Sequence, residues 1–283
     1  MKNVFLIINY NDSETTIKLL HNISNYKILD KILVVDNNST DNSFKILKEK
    51  ENNNIEIVKC PVNKGYGAGI NFGCRYIKEK YKDCYVIVSN PDVEIYNEES
   101  LKKLIDSFDN ETSIVAPIIK EHEGLNRGWK VPSPIQDVLL NLPSIHRYIR
   151  PKLLFYKDEY YNNEIIDVEA VSGCFFIIKL SDLEQANYFD ENMFLYYEEN
   201  TISVKLKKIN KKIKLNTKTE VFHNHSVTID KNINKIRKYK ELKKSQMYFQ
   251  KYYNKANVFE ICLLWLTNKL TLILLYIRGI FKK

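Results

Sequence analysis

The first ninety residues alternate between short apolar runs and longer amphipathic segments. VFLIINY (4–10), KILVVD (31–36), IEIVKC (55–60) and CYVIVSN (84–90) are aliphatic and β-branched, each long enough for one strand. The segments between them carry helical periodicity over about 14–24, 42–50 and 66–80, the first opened by the capping pair Asp12-Ser13. Runs that are apolar throughout mean strands buried on both faces, so this pattern predicts an α/β fold with a parallel sheet between helical layers. From 96 to 170 the pattern weakens to a helix near 98–107, a strand at 114–120 and a Pro- and Arg-containing stretch to about 163. VSGCFFIIKL (171–180) reads as a core strand, and a helix is predicted from Glu198 through Lys207.

The last sixty residues are basic, then apolar. VFEICLLWLTNKLTLILLYIRGIF (258–281) is interrupted by Thr267, Asn268 and Lys269, which leaves no run of bilayer-spanning length. On a helical wheel Glu260, Thr267, Thr271 and Arg278 form one polar stripe on an otherwise apolar helix. A domain-capping helix, a homodimer helix and an interfacial membrane helix all fit. Charge favours the last: the chain carries a net +8, concentrated in 205–218 and 231–255, and ends in Lys282-Lys283. Such clusters suit an anionic inner leaflet. They lack the recognition motifs of a nucleic-acid-binding domain, so no nucleic-acid partner is expected.

Composition changes the picture little. With 283 residues, 44% of them apolar, the chain can bury a large domain and a smaller appendage. Five cysteines without C-x-x-C spacing point to reduced thiols in a cytosolic protein rather than to disulfides or zinc. The N-terminus has neither the apolar length nor the cleavage site of a signal peptide and reads as the first buried strand.

Candidate chemistry lies where the strands end, the edge at which open α/β sheets bind ligands. Asn9-Tyr10-Asn11, Asp36-Asn37-Asn38, Asn63-Lys64-Gly65 and Asn90-Pro91-Asp92 follow the four strands in turn. Singly, each is an ordinary turn or N-cap; four along one edge point to a shared polar ligand. GYGAGINFG (65–73) fails the G-x-G-x-x-G dinucleotide pattern at Ile70. A helix N-terminus beside Lys64 still suits a diphosphate.

VVDNNSTDNS (34–43), NKGYGAGINFG (63–73), SNPDV (89–93), SGCFFIIK (172–179), YFDENMFLYYEEN (188–200) and FHNHS (222–226) occur in the order and spacing of family 2 glycosyltransferases. The chain resembles the bacterial branch that includes rhamnosyltransferases and galactofuranosyltransferases. The resemblance implies a Rossmann-like GT-A domain over 1–229, a mostly parallel sheet flanked by helices, and a basic, then amphipathic, helical region over 230–283. It implies an inverting, metal-dependent transfer from a UDP- or dTDP-sugar, dTDP-rhamnose among them. The acceptor would be a lipid-linked saccharide of surface polysaccharide assembly, with the protein peripheral on the inner face of the cell membrane. It places Asp36 on the ring N–H of uracil or thymine, with Asn9, Tyr10, Asn38, Lys64 and Asn90 around the nucleotide-sugar. Asp92 would hold Mg²⁺ or Mn²⁺, with Asn90 standing where many relatives have a first aspartate. His223, rather than His225, would be the further metal ligand. The base would lie in the acidic pair, Glu199 ahead of Glu198, where the family usually shows Glu-Asp. A nucleotidyltransferase or a non-catalytic nucleotide-sugar-binding module is the alternative; NYNDSETT (9–16) lacks the Gly, Arg and Lys expected of the former after its first strand.

Overall fold

The computed structural model describes residues 1–122, 124–142, 145–224 and 235–280. The predicted opening is present: β1 (Lys2–Asn9), α1 (Ser13–Ile23), β2 (Lys31–Asp36), α2 (Ser43–Lys48), β3 (Ile55–Lys59), α3 (Tyr66–Lys80) and β4 (Cys84–Ser89). Then come β5 (Val93–Ile95), α4 (Glu98–Asp106), β6 (Thr112–Glu121) and β7 (Gly124–Asn126). The stretch that lacked a clear pattern holds α5 (Pro134–Leu140), α6 (His146–Leu154), a short 3-10 turn and β8 (Ile165–Val168). The chain continues through β9 (Phe175–Lys179), α7 (Leu180–Gln185), α8 (Glu198–Lys208), β10 (Lys212–His223), α9 (Lys235–Tyr252) and α10 (Val258–Ile280).

The strands form one ten-stranded mixed sheet whose main path runs β3-β2-β1-β4-β9-β6-β10-β5. β1, β2, β3 and β4 are mutually parallel, so their carboxyl ends emerge together. β9 enters antiparallel beside β4 and places the loop before it at that same edge. Side chains alternate along β1: Val4, Leu6 and Ile8 pack into the core under α3 and α8, whereas Phe5 and Ile7 pack into the core under α1 and α4. Two cores on two faces are what the unbroken apolar runs require. The predicted strand at 171–180 is shorter, beginning at Phe175. Ser172 and Gly173 leave the ladder, and Gly173 passes so close to Glu199 that a β-carbon there would sit 2.8 Å from Oε1.

The C-terminal helices are tied to the domain by buried groups. Phe249 is fully buried and packs on Tyr197, and Gln250 donates to Asp137 at 2.6 Å. Thr267 and Thr271 of the polar stripe of α10 face the domain. Asn141 at the end of α5 donates to Thr267 and Asn268, and Thr271 donates back to the Asn141 carbonyl at 2.8 Å. The outward face carries Phe259, Leu266, Leu270, Ile273 and Ile277, each between 44% and 70% exposed. This is the reverse of a helix on a water-soluble surface. Residues 258–277 are long and apolar enough to cross a membrane by length and composition, and only 6% of that window is buried.

Candidate active site

Two clefts meet at the carboxyl edge of the parallel strands. The smaller, about 250 Å³, is lined by Tyr10 after β1, Asn37 after β2, Asn63 after β3 and Asn90 to Asp92 after β4. Ser172–Cys174, Tyr196, Glu198, Glu199, His223 and Arg237 complete it. Among the described residues, three buried side-chain atoms make no hydrogen bond: Asn37 Oδ1, Asp92 Oδ1 and Glu198 Oε2. All three belong to residues on this cleft. A buried polar atom that makes no hydrogen bond is costly, so their concentration in one cleft is the mark of a polar ligand site.

The cleft is held in shape by glycine and amide. Gly65 opens α3 at φ 108°, and a β-carbon there would lie 2.1 Å from the Phe194 carbonyl oxygen, so position 65 is restricted to glycine. Asn37 Nδ2 donates to the Gly65 carbonyl at 3.1 Å and ties the β2 loop to α3. Asn9 and Asp36 do not line the cleft. Both are fully buried; Asn9 Nδ2 donates to Asp36 Oδ2 at 2.9 Å, and Asp36 Oδ1 accepts from the Ser39 amide at 2.9 Å. Asn38 is half-buried with φ 59°, and Lys64 is exposed; neither lines the cleft. Of the expected nucleotide-sugar residues, Tyr10 and Asn90 therefore face the cleft directly; Asn37 and Asn63, from the strand-end sets, join them, as does Arg237, which no pattern singled out.

Asp92 and His223, far apart in sequence, come together through the β5–β10 pairing of Val93 with His223. His223 Nε2 lies 3.3 Å from Asp92 Oδ1, too poorly aligned for a hydrogen bond, and its Nδ1 lies 3.4 Å from Glu121 Oε1. Burial opposes a charge on His223, yet Asp92 and Cys174 beside it hold its pKa up to about 11. The imidazolium thus supplies the positive charge that buried Asp92 needs. A divalent cation could take that place, releasing the proton. Among the described residues no three His, Cys, Asp or Glu side chains form a ready metal cluster. Asp92 and His223 would supply two ligands, a number that suits Mg²⁺ or Mn²⁺ sharing its shell with phosphate oxygens. His225 lies outside the described residues.

The acidic pair opens α8 after an unusual turn. Tyr196 and Tyr197 both adopt left-handed backbone, φ 69° and 67°, a costly conformation for such side chains. The Tyr197 hydroxyl donating to Asp137, and the Ser245 hydroxyl donating to the Leu195 carbonyl at 2.7 Å, hold the turn in place. Glu198 is 6% exposed and lines only the smaller of the two clefts. Glu199 lines both the smaller cleft and a second one of about 970 Å³, and its Oε1 accepts from the Gly173 amide at 3.1 Å. Burial raises both carboxyl pKa values above the ordinary range, and the Glu199 charge adds to the rise at Glu198. A carboxylate with a raised pKa at the junction of two clefts is placed to take a proton from a hydroxyl in one as a bond forms in the other.

Residues 4–186 match the family described as glycosyl transferase family 2. The chain belongs to that family. This family 2 glycosyltransferase is 27% identical over 229 residues to the low-salt glycan biosynthesis hexosyltransferase Agl10 of Haloferax volcanii, covering 78% of this chain and 67% of that protein. It is 25% identical over 183 residues to the N-acetylglucosaminyl-diphospho-decaprenol L-rhamnosyltransferase of Mycobacterium tuberculosis, covering 59% of this chain and 58% of the relative. Among solved structures, the mannosyltransferase PcManGT of Pyrobaculum calidifontis, in complex with GDP-Man and Mn²⁺, superposes with a TM-score of 0.58 at 13% identity. That match covers 94% of this chain and 73% of the mannosyltransferase, and it establishes the shared GT-A fold.

Proposed function

We propose that this family 2 chain transfers a sugar, with inversion, from a UDP- or dTDP-sugar to a hydroxyl of a lipid-linked saccharide. The observation that carries the proposal is the concentration of buried Asn37, Asp92 and Glu198 oxygens that make no hydrogen bond in one cleft that shares Glu199 with a larger one. The donor lies in the smaller cleft, its diphosphate toward Asp92 and His223, with Arg237 adding positive charge. Mg²⁺ or Mn²⁺ bound to Asp92 and His223 would neutralise charge on the leaving diphosphate. Glu199 takes the proton of the acceptor hydroxyl approaching from the larger cleft, which leaves that oxygen free to attack the face of the sugar opposite the departing diphosphate. Glu198 lines the donor cleft but not the larger one, so it does not reach the acceptor hydroxyl. The preference for a pyrimidine base rests on VVDNNSTDNS (34–43) at the donor edge.

A donor series tests the reading. UDP-, dTDP-, GDP- and ADP-sugars are supplied with Mn²⁺ and sugar release is followed, with nucleotide binding measured by calorimetry. Turnover and tighter binding of a pyrimidine nucleotide are expected. Tighter binding of GDP or ADP overturns the base assignment, and no turnover of any sugar nucleotide overturns the transfer itself.

The outward apolar face of α10 and the basic residues of α9 support attachment to the inner membrane face, where a lipid-linked acceptor resides. The full chain is expected to co-sediment with vesicles containing anionic lipid more than with neutral ones, and the double substitution Leu266→Glu, Ile273→Glu is expected to release it. Equal partitioning into both vesicles removes the electrostatic part, and no partitioning into either removes the attachment.

A further inference from the structure

The turn that presents Glu199 is not secured by its own helix. Tyr197 stands at the N-cap position of α8 without a side-chain cap, and both it and Tyr196 hold left-handed backbone. Such a conformation persists only where its surroundings over-determine it. Here the restraint comes from distant segments. The Tyr197 hydroxyl donates to both Asp137 oxygens, at 2.9 and 2.8 Å, and accepts from Gln246 Nε2 at 3.1 Å. Asp137, 2% exposed on α5, also accepts from Gln250 Nε2 at 2.6 Å. Lys243 of α9 donates to Asn141 Oδ1, and to Gln246 Oε1 at 3.2 Å. Burial pushes the Asp137 carboxyl up to about 6, with Lys243 opposing the rise; burial pulls Lys243 down to about 8, with Asp137 opposing the fall. At pH 7 both are charged, and each sustains the other's charge. Burial, and after it the Asp137 charge, keeps the Tyr197 hydroxyl protonated and so a donor. A polar network with its partners in place is rigid, and removing one member leaves the others costly to bury.

We infer that Asp137 is a positioning residue, which through the Tyr197 hydroxyl fixes the first turn of α8 and with it the Glu199 carboxylate. This rests on the proposed role of Glu199 as the base and adds what holds that base in place. The Tyr197 carbonyl accepts from the Thr201 amide at 3.0 Å, so the anchored residue is bonded to the helix it begins. Glu199 follows within that first turn, and its Oε1 must meet the Gly173 amide from the opposite wall. A misplacement of about 1 Å can cost a catalytic group on the order of 10²-fold in rate. The partners that prevent it are remote in sequence: Asp137 lies 60 residues before Tyr197, and Gln246 lies 49 after it. Helix α9 therefore serves the transfer site by holding it, in addition to the charge it carries.

The test reads Glu199 itself. The full chain is produced with glutamate labelled with ¹³C at Cδ, and the Glu199 resonance is assigned by its absence in Glu199→Gln. Its titration midpoint is followed in wild type, Tyr197→Phe, Asp137→Asn and Leu264→Ala. Tyr197→Phe keeps the ring that packs on Phe249 and removes only the hydroxyl, so it carries the test if Asp137→Asn fails to fold. Leu264→Ala removes buried apolar packing from α10 and lowers the melting temperature without touching the network. Burial is the largest cause of the raised Glu199 value, so a carboxylate released from its place should titrate lower, by at least about one pH unit in Tyr197→Phe. For any sugar nucleotide the protein turns over, kcat should fall at least about tenfold in that variant while the donor KM stays within about twofold. An unchanged midpoint in Tyr197→Phe overturns the inference, as does an unchanged kcat. So does an equal shift in Leu264→Ala, which would make the effect one of general stability. The titration needs no turnover: a midpoint lowered only when the anchor is cut, in a protein that transfers no sugar, sinks the proposed transfer and leaves this positioning role standing.

Discussion

Glu199→Gln is expected to lower sugar transfer by roughly 10²–10⁴-fold, the usual contribution of a general base, with UDP and Mn²⁺ binding retained. Glutamine keeps the side-chain length and the acceptor oxygen that Glu199 offers to the Gly173 amide, so the loop before β9 should stay in place. It cannot accept a proton at neutral pH. Glu198→Gln is the control: it removes a neighbouring acid from the same helical turn, and its carboxylate does not line the larger cleft. Wild-type transfer should rise with pH through the raised pKa of Glu199, and that limb should vanish in the Glu199 variant. The control also has a stability signature. The raised Glu198 value means that its favourable contribution is present below the ordinary carboxyl value of 4.5 and is lost as pH rises through its folded-state pKa. At neutral pH Glu198→Gln should therefore raise the melting temperature. Steady-state transfer and thermal melts across pH 5–9 check both; a dead Glu198→Gln beside an active Glu199→Gln would reverse the assignment.

Asp92→Asn should abolish metal-dependent donor turnover. Loss of an outer partner of a metal ligand already lowers metal affinity by roughly 10–100-fold, and a direct carboxylate ligand should cost at least as much. Asparagine preserves the shape of the turn and the neighbouring Asn90-to-Cys174 backbone hydrogen bond, so the fold should survive. Titration of UDP binding with Mn²⁺ reads the loss directly, and turnover within threefold of wild type would refute it. Proton release gives a second measure. With Asp92 present, His223 is protonated before metal arrives, and Mn²⁺ binding should expel that proton, making the heat of binding depend on the buffer's ionisation enthalpy. In Asp92→Asn the histidine loses the partner that holds its pKa high, and the buffer dependence should fall away.

Much of this site is legible in the sequence, and the boundary of that legibility is physical. Asp92 and the helix opening at Glu198 follow from strong local patterns, an apolar strand halted by an acid and an acidic first turn after a run of aromatics. The four strand ends can be placed on one edge because parallel strands joined by helices leave no other arrangement. Which residue at each end faces the ligand is a matter of single dihedral angles. Asp36 ends β2 pointing inward, where the Ser39 amide satisfies it, and Asn37 turns toward the cleft instead. No periodicity reports that step. The wall built by α5 and α6 carries one overlooked signal: Ser133-Pro134-Ile135-Gln136 is a capping box with proline at the first helical position, and both reciprocal hydrogen bonds form. Arg237 is hidden for another reason. In a basic run it is one charge among many, and only the packing of α9 across the sheet edge distinguishes it. The stripe on α10 is plain on a helical wheel, but a wheel does not say which side meets the domain; the bonds from Asn141 to Thr267 and Asn268 do.

The larger cleft takes its lining from Glu121 onward, and no residue of the first 120 contributes to it. The ends of β1 to β4 face only the smaller one. The smaller cleft draws on both parts of the chain: one side comes from those strand ends and the other from Ser172–Cys174, Phe194–Tyr196, Glu198, Glu199, His223 and Arg237. A hybrid joined within β6 would inherit the ends of β1 to β4 from one parent and the whole lining of the larger cleft from the other, with the mismatch falling in the strands that pair across the join and inside the smaller cleft, where one parent's Asp92 would meet the other's His223. New acceptors could be acquired by substitutions at those residues from Glu121 onward that line only the larger cleft, leaving Ser172–Cys174, Glu199, His223 and Arg237 in place.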